Sequence, residues 1–156
     1  IGVAGTFPKP GEQAPDFSLA TKDLQDVGLA EYAGKRKVLN IVPSLDTPVC
    51  AKSTREFNQQ AGNTANAVVL VISADLPFAM NRFCGAESIK NMRVGSDYQN
   101  RTFGKNYGFL IEELKLLARG VVILDKDGKV VYAETVPEVV NEPNCDKALA
   151  ALKGAL

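Results

Sequence analysis

Cys50, Cys84 and Cys145 are the side chains in this 156-residue chain best suited to nucleophilic or redox chemistry, and they stand thirty-four and sixty-one positions apart. Their surroundings differ. Cys50 closes the stretch Pro43-Ser44-Leu45-Asp46-Thr47-Pro48-Val49-Cys50, which follows the apolar, β-branched run Val38 to Val42. Pro43 cannot donate to a sheet ladder, so a strand is expected to end there. Thr47 is a good N-cap type and Pro48 suits the first helical position. Cys50 then falls in the third, among unpaired backbone N–H groups at the positive end of the helix dipole. Such a place favours thiolate over thiol. A cysteine is otherwise often just a small buried hydrophobe.

The chain has no histidine. Ser-His and Cys-His catalysis, imidazole bases and His-containing metal sites are therefore all excluded. No Cys-x-x-Cys occurs, so neither a zinc knuckle nor a thioredoxin-type dithiol is written here. Three cysteines are also an odd number, a poor fit to a secreted disulfide scaffold. A free thiol is a few per cent ionised at neutral pH, so lowering its pKa below 7 raises the thiolate fraction at most roughly thirty-fold. Further rate must come from donors aimed at charge developing on the substrate, which calls for a permanent cation and hydrogen-bonding groups near the sulfur.

The elements that must hold these residues can be read along the chain. Ile1 to Pro15, rich in Gly and Pro, reads as an irregular or weakly extended lead-in. Asp16 to Leu19 is expected as a short strand, Leu29 to Tyr32 as a helical turn, and Lys35-Arg36-Lys37 as a solvated approach to the strand at Val38 to Val42. A helix is expected from about Pro48 to Ala61, stopped by Gly62-Asn63, with Cys50, Phe57 and Ala61 on one face. Val68 to Ser73 is nearly continuous β-branched sequence, as in a strand covered on both faces. Asp75 and Pro77 open a second helix carrying Cys84, with Gly85 loosening it and a resumption through Ile89. Strand, helix, strand, helix in this order implies a right-handed parallel crossover.

Met92 to Gly95 reads as a short strand and Asn100 to Tyr107 as a short helix. Phe109 to Leu117 is assigned to loop or short helix, since it leaves little room before the strand at Gly120 to Leu124. That strand pairs with Lys129 to Glu134 through Asp125-Lys126-Asp127-Gly128, where Asp-Gly is expected to supply the positive φ values of the turn. A last helix runs from about Cys145 to Leu156, patterned by Ala148, Leu149, Leu152 and Leu156. Cys145 reads as a structural or incidental thiol.

Composition bounds the partners. Hydrophobic residues make up 46% and charged residues 23%, which fits one soluble globular domain spanning residues 1–156. Eighteen basic and eighteen acidic residues balance, so there is no electrostatic case for nucleic acid or an anionic membrane. No run approaches the roughly eighteen apolar residues of a membrane span, and no basic segment followed by an apolar block opens the chain. The expectation is a cytoplasmic protein without metal or organic cofactor.

Pro43-x-x-x-Thr47-x-x-Cys50 resembles the active-site signature of the peroxiredoxins. Lys35 to Cys50, together with Ser73-Ala74-Asp75-Leu76-Pro77-Phe78-Ala79 and Arg82-Phe83-Cys84-Gly85, is similar to their bacterial thiol peroxidase branch, and the likeness covers most of the chain. It implies a thioredoxin-like fold, a central mixed sheet flanked by helices. It implies that Cys50 is the peroxidatic cysteine, that Cys84 resolves its sulfenic acid as an intramolecular disulfide, that Thr47 hydrogen-bonds thiolate and peroxide, and that Pro43 shields the pocket. Arg119 matches the arginine that supports the thiolate and transition state. Hydrogen peroxide and organic hydroperoxides are the implied substrates, thioredoxin the implied reductant, and a homodimer the implied assembly. The two sulfurs are expected to lie apart when reduced and to meet by local unwinding; closing this loop restricts the unfolded chain by about 3–4 kcal/mol. The rival readings are a peroxide-sensing thiol–disulfide switch and a non-catalytic interaction domain, with a disulfide reductase disfavoured by the missing Cys-x-x-Cys.

Overall fold

The computed structural model describes residues 3–4, 7–21, 24–32, 34–44, 59–61, 66–86, 92–99, 101–112, 114–136 and 145–154, with the side chains of 3, 4, 81, 83–86, 92, 136, 145 and 146 outside the description. The three most apolar β-branched stretches form its centre: β4 (Arg36–Ile41), β5 (Ala67–Ser73) and β9 (Arg119–Leu124) are buried along their whole length. Strands covered on both faces need such continuous apolar sequence. β1 is Val3–Ala4, β2 Leu19–Ala20, β3 Asp26–Val27, β6 Met92–Ser96, β7 Leu110–Ile111, β8 Leu116–Leu117 and β10 Val130–Val136. A seven-stranded sheet runs in the order β10-β9-β4-β5-β6-β2-β3, and β1, β7 and β8 form a second, three-stranded sheet. β4, β5 and β6 are mutually parallel, whereas β9 runs antiparallel to β4.

Both faces of the large sheet are packed. On one, Leu39, Ile41, Leu70, Ile72, Val122 and Leu124 meet Phe103 and Tyr107 of helix α2 (Thr102–Tyr107) together with Phe17, Leu19 and Phe109. On the other, Val38, Val42, Val69, Val71, Val121 and Ile123 meet Met80 of helix α1 (Pro77–Ala86) and Ala148, Leu149 and Leu152 of helix α3 (Cys145–Gly154). This is the expected mixed sheet with helices on both faces. The expected strand at Val68 to Ser73, its parallel pairing with the preceding strand β4, the 3-10 turn at Leu29–Tyr32 and the three described helices are present within a few residues of their predicted bounds. Residues 59–61 are helical, with Ala61 buried. The rest of the helix expected from Pro48, its stop at Gly62-Asn63 and the resumption through Ile89 lie outside the described residues.

Four expectations are corrected. The strand expected at Asp16 to Leu19 starts later, as β2 at Leu19–Ala20; Asp16 instead turns its Oδ1 to the N–H groups of Phe17 and Leu29. Of the basic triplet only Lys35 is exposed as expected; Arg36 and Lys37 are buried within β4. The Arg36 guanidinium donates to the Leu152 carbonyl at 2.9 Å, one of the last carbonyls of α3, where a cation complements the helix dipole. Lys37 Nζ donates to the Lys35 carbonyl at 3.0 Å, and burial pulls its ammonium below the usual lysine range against the attraction of Asp125 and Asp127. Phe109 to Leu117 is neither loop nor helix but carries the hairpin β7–β8, with Leu110 opposite Leu117. Helical composition yields there to a tertiary partner, because β1 pairs with β7 (Val3 opposite Ile111).

The β9–β10 turn is the fourth. Gly128 has φ 84°, and Asp127 does not share a positive φ. Gly128 N–H donates to the Asp125 carbonyl at 3.1 Å and Asp125 N–H to the Lys129 carbonyl at 2.9 Å. This is a type I turn followed by a left-handed glycine, rather than a turn with two positive φ values. Asp125 Oδ1 accepts from the N–H groups of Asp127 and Lys129, both at 2.9 Å, which favours that geometry. The lead-in is stitched to the same hairpin: Gly11 N–H donates to the Val130 carbonyl and Val130 N–H to the Glu12 carbonyl, while Gln13 bridges Lys129.

Candidate active site

Parallel strands that lie side by side bring their carboxyl ends to one rim of the sheet, where α/β proteins place ligands. Here β4, β5 and β6 deliver Pro43-Ser44, Ser73-Ala74-Asp75 and Ser96-Asp97 to that rim. β9 runs the other way beside β4, with Gly120 opposite Ile41, so its first residue, Arg119, arrives at the same rim. Pro43 and Arg119 are both buried, Arg119 at 2% exposure. Alternation along β9 puts Arg119 on the face of Val121 and Ile123, the face packed against α1 and α3. A guanidinium is a planar fork of N–H donors whose geometry matches two oxygens at once.

Hydrogen bonds knit this rim together. Asp75 Oδ1 accepts from Ser44 Oγ at 2.8 Å and Asp75 Oδ2 from Ser73 Oγ at 2.8 Å. Asp75 N–H donates to Ser73 Oγ at 3.1 Å, and Ser96 Oγ donates to the Asp75 carbonyl. Val42 N–H reaches the Ile72 carbonyl and Asp97 N–H the Ser73 carbonyl, which carries the ladder past the ends of the strands. The buried Asp97 carboxylate accepts from Phe103 N–H at 3.0 Å and Gly104 N–H at 2.8 Å, fastening α2 beneath the rim. Burial pushes its carboxyl above the ordinary range, opposed by those two N–H bonds and by Arg101 and Lys105.

Of the residues singled out from sequence, the structure brings Pro43 and Arg119 to one rim on neighbouring strands. Cys84 lies within α1, which begins two residues after Asp75, and its side chain is outside the description. Cys145 is the first residue of α3, its side chain likewise undescribed. Cys50 and Thr47 lie outside the described residues. Sequence reasoning gave no separate role to Ser44, Ser73, Asp75 and Ser96, or to the buried Asn40 on β4. Polar side chains interrupting or closing apolar strands, Asn40 and Ser73-Ala74-Asp75 above all, were the available signal.

No helix among the described residues is long and apolar enough to cross a membrane. A family model described as Redoxin matches residues 9–149. The thiol peroxidase of Listeria innocua is 44% identical over 155 residues, covering 99% of this chain and 94% of that protein. The thiol peroxidase of Listeria monocytogenes serotype 4b matches with the same identity and coverage. A peroxiredoxin-like protein from Aquifex aeolicus superposes with TM-score 0.89 at 41% identity, covering 99% of this chain and 91% of that one. A thiol peroxidase from Chromobacterium violaceum gives TM-score 0.87 at 23% identity over 99% and 91% of the two chains, a likeness of fold. With a thioredoxin-like mixed sheet and a family match spanning most of its length, the chain belongs to the redoxin family.

Proposed function

We propose that the chain is a thiol-dependent peroxidase that reduces hydrogen peroxide and organic hydroperoxides through Cys50 and Cys84. The observation that carries this reading is the 44% identity over 99% of the chain with proteins named thiol peroxidase, joined to the Pro43-x-x-x-Thr47-x-x-Cys50 pattern. The buried Pro43 and Arg119 at one rim of the sheet support it, because a developing oxyanion needs fixed donors in a site shielded from water.

The chemistry follows from those groups. The Cys50 thiolate attacks the terminal peroxide oxygen; an S–O bond forms, the O–O bond breaks, and the released alkoxide takes a proton to leave as alcohol or water. Sulfur has lost two electrons and is a sulfenic acid. Thr47 and Arg119 donate to the charge that moves across the oxygens, and Pro43 covers the sulfur. Cys84 then attacks the Cys50 sulfur: an S–S bond forms, the S–O bond breaks, and hydroxide leaves as water with the proton of the Cys84 thiol. The dithiol of thioredoxin returns both thiols by exchange and is itself oxidised. The protein works as a homodimer in the cytoplasm, where that reductant is kept reduced.

Peroxide consumption by the wild type, Cys50→Ser and Cys84→Ser with thioredoxin and its reductase tests the reading. The wild type turns over repeatedly, Cys50→Ser is inactive, and Cys84→Ser consumes about one equivalent and stalls. Full activity in Cys50→Ser overturns the assignment of the thiols. A wild type that is oxidised once and stops in the presence of reductant is a peroxide-sensing switch instead. Sedimentation checks the dimer.

A further inference from the structure

We draw no further inference here: the strongest candidate, the exposed apolar surface patch of Leu76 and Phe78 at the first turn of α1, carries none because nothing among the described residues shows what covers it.

Discussion

Gly120→Ala adds one methyl group where β9 faces the Phe109 ring and the backbone of β10. A Cβ built at Gly120 falls 2.6 Å from Phe109 Cε1 and 3.1 Å from its Cζ, and closer still to the Glu134 carbonyl oxygen. Ordinary contact needs about 3.4 Å or more, so the Phe109 ring must retreat by roughly 0.8 Å. It has nowhere to go: Phe109 is fully buried, with Phe7 at 5.6 Å and Phe103 at 6.1 Å between ring centroids. The Glu134 oxygen belongs to the backbone of β10 and cannot swing aside. Overpacking of this kind costs about 3 kcal/mol, the upper end of the usual range. With an unfolding entropy of about 2.1 cal/mol/K per residue, the 156 residues give about 0.33 kcal/mol/K, so the melting temperature should fall by about 9 °C. The displaced strand also carries Arg119 next door, so peroxide reduction at the reading proposed above should drop by about ten- to a hundredfold. Thermal unfolding by circular dichroism and peroxide kinetics on the purified variant measure both. A melting temperature within about 2 °C of the wild type, with unchanged kinetics, refutes the reasoning.

Gly154→Ala is the converse: among the described residues nothing lies within 4 Å of a Cβ at this last residue of α3, so the substitution should stabilise by about 0.5–1 kcal/mol and raise the melting temperature by about 2–3 °C. Asp97→Asn should change how stability depends on pH. Because burial raises the folded-state carboxyl above its unfolded value, the folded state holds the extra proton, and wild-type stability from this group falls as pH rises from the ordinary carboxylate range through the raised value. Asparagine has no such proton, so the stability difference between Asn and wild type, measured by urea unfolding at a series of pH values, should shift in favour of Asn as pH rises across that window; a difference flat with pH contradicts it.

Much of the scaffold was legible because its signals are local. Val68 to Ser73 could hardly be anything but a covered strand, and Pro77 announced the first turn of its helix from its own ring chemistry. What escaped depends on partners distant in sequence. Arg36 and Lys37 look like exposed charge until α3 arrives, more than a hundred residues later, with carbonyl oxygens for one of them. The strands at Leu110–Ile111 and Leu116–Leu117 exist because Val3–Ala4 lies alongside. At the candidate site, Pro43 and the cysteines stood out by residue type and spacing. Arg119 required the likeness to a family, since nothing local marks an arginine at the start of a strand as more than a surface cation. Asp75 was visible as part of a helix entrance, but its bond to Ser44 spans thirty-one positions and has no sequence period to betray it.

The stitching of the lead-in to the turn between β9 and β10 bears on solubility. β10 is the outermost strand on its side of the large sheet, and an outermost strand offers unpaired amide groups on which another chain can add by strand pairing. Gly11 and Glu12 occupy both the N–H and the carbonyl of Val130, so the first rungs of that ladder are taken by the chain itself. A proline- and glycine-rich segment suits this task, because it can satisfy a few amides without presenting a regular strand of its own for the next chain to extend. Changes that unseat Gly11 and Glu12 from Val130, with β1 and Ala14 left in place, should therefore make the protein prone to self-association, a loss of colloidal more than of conformational stability.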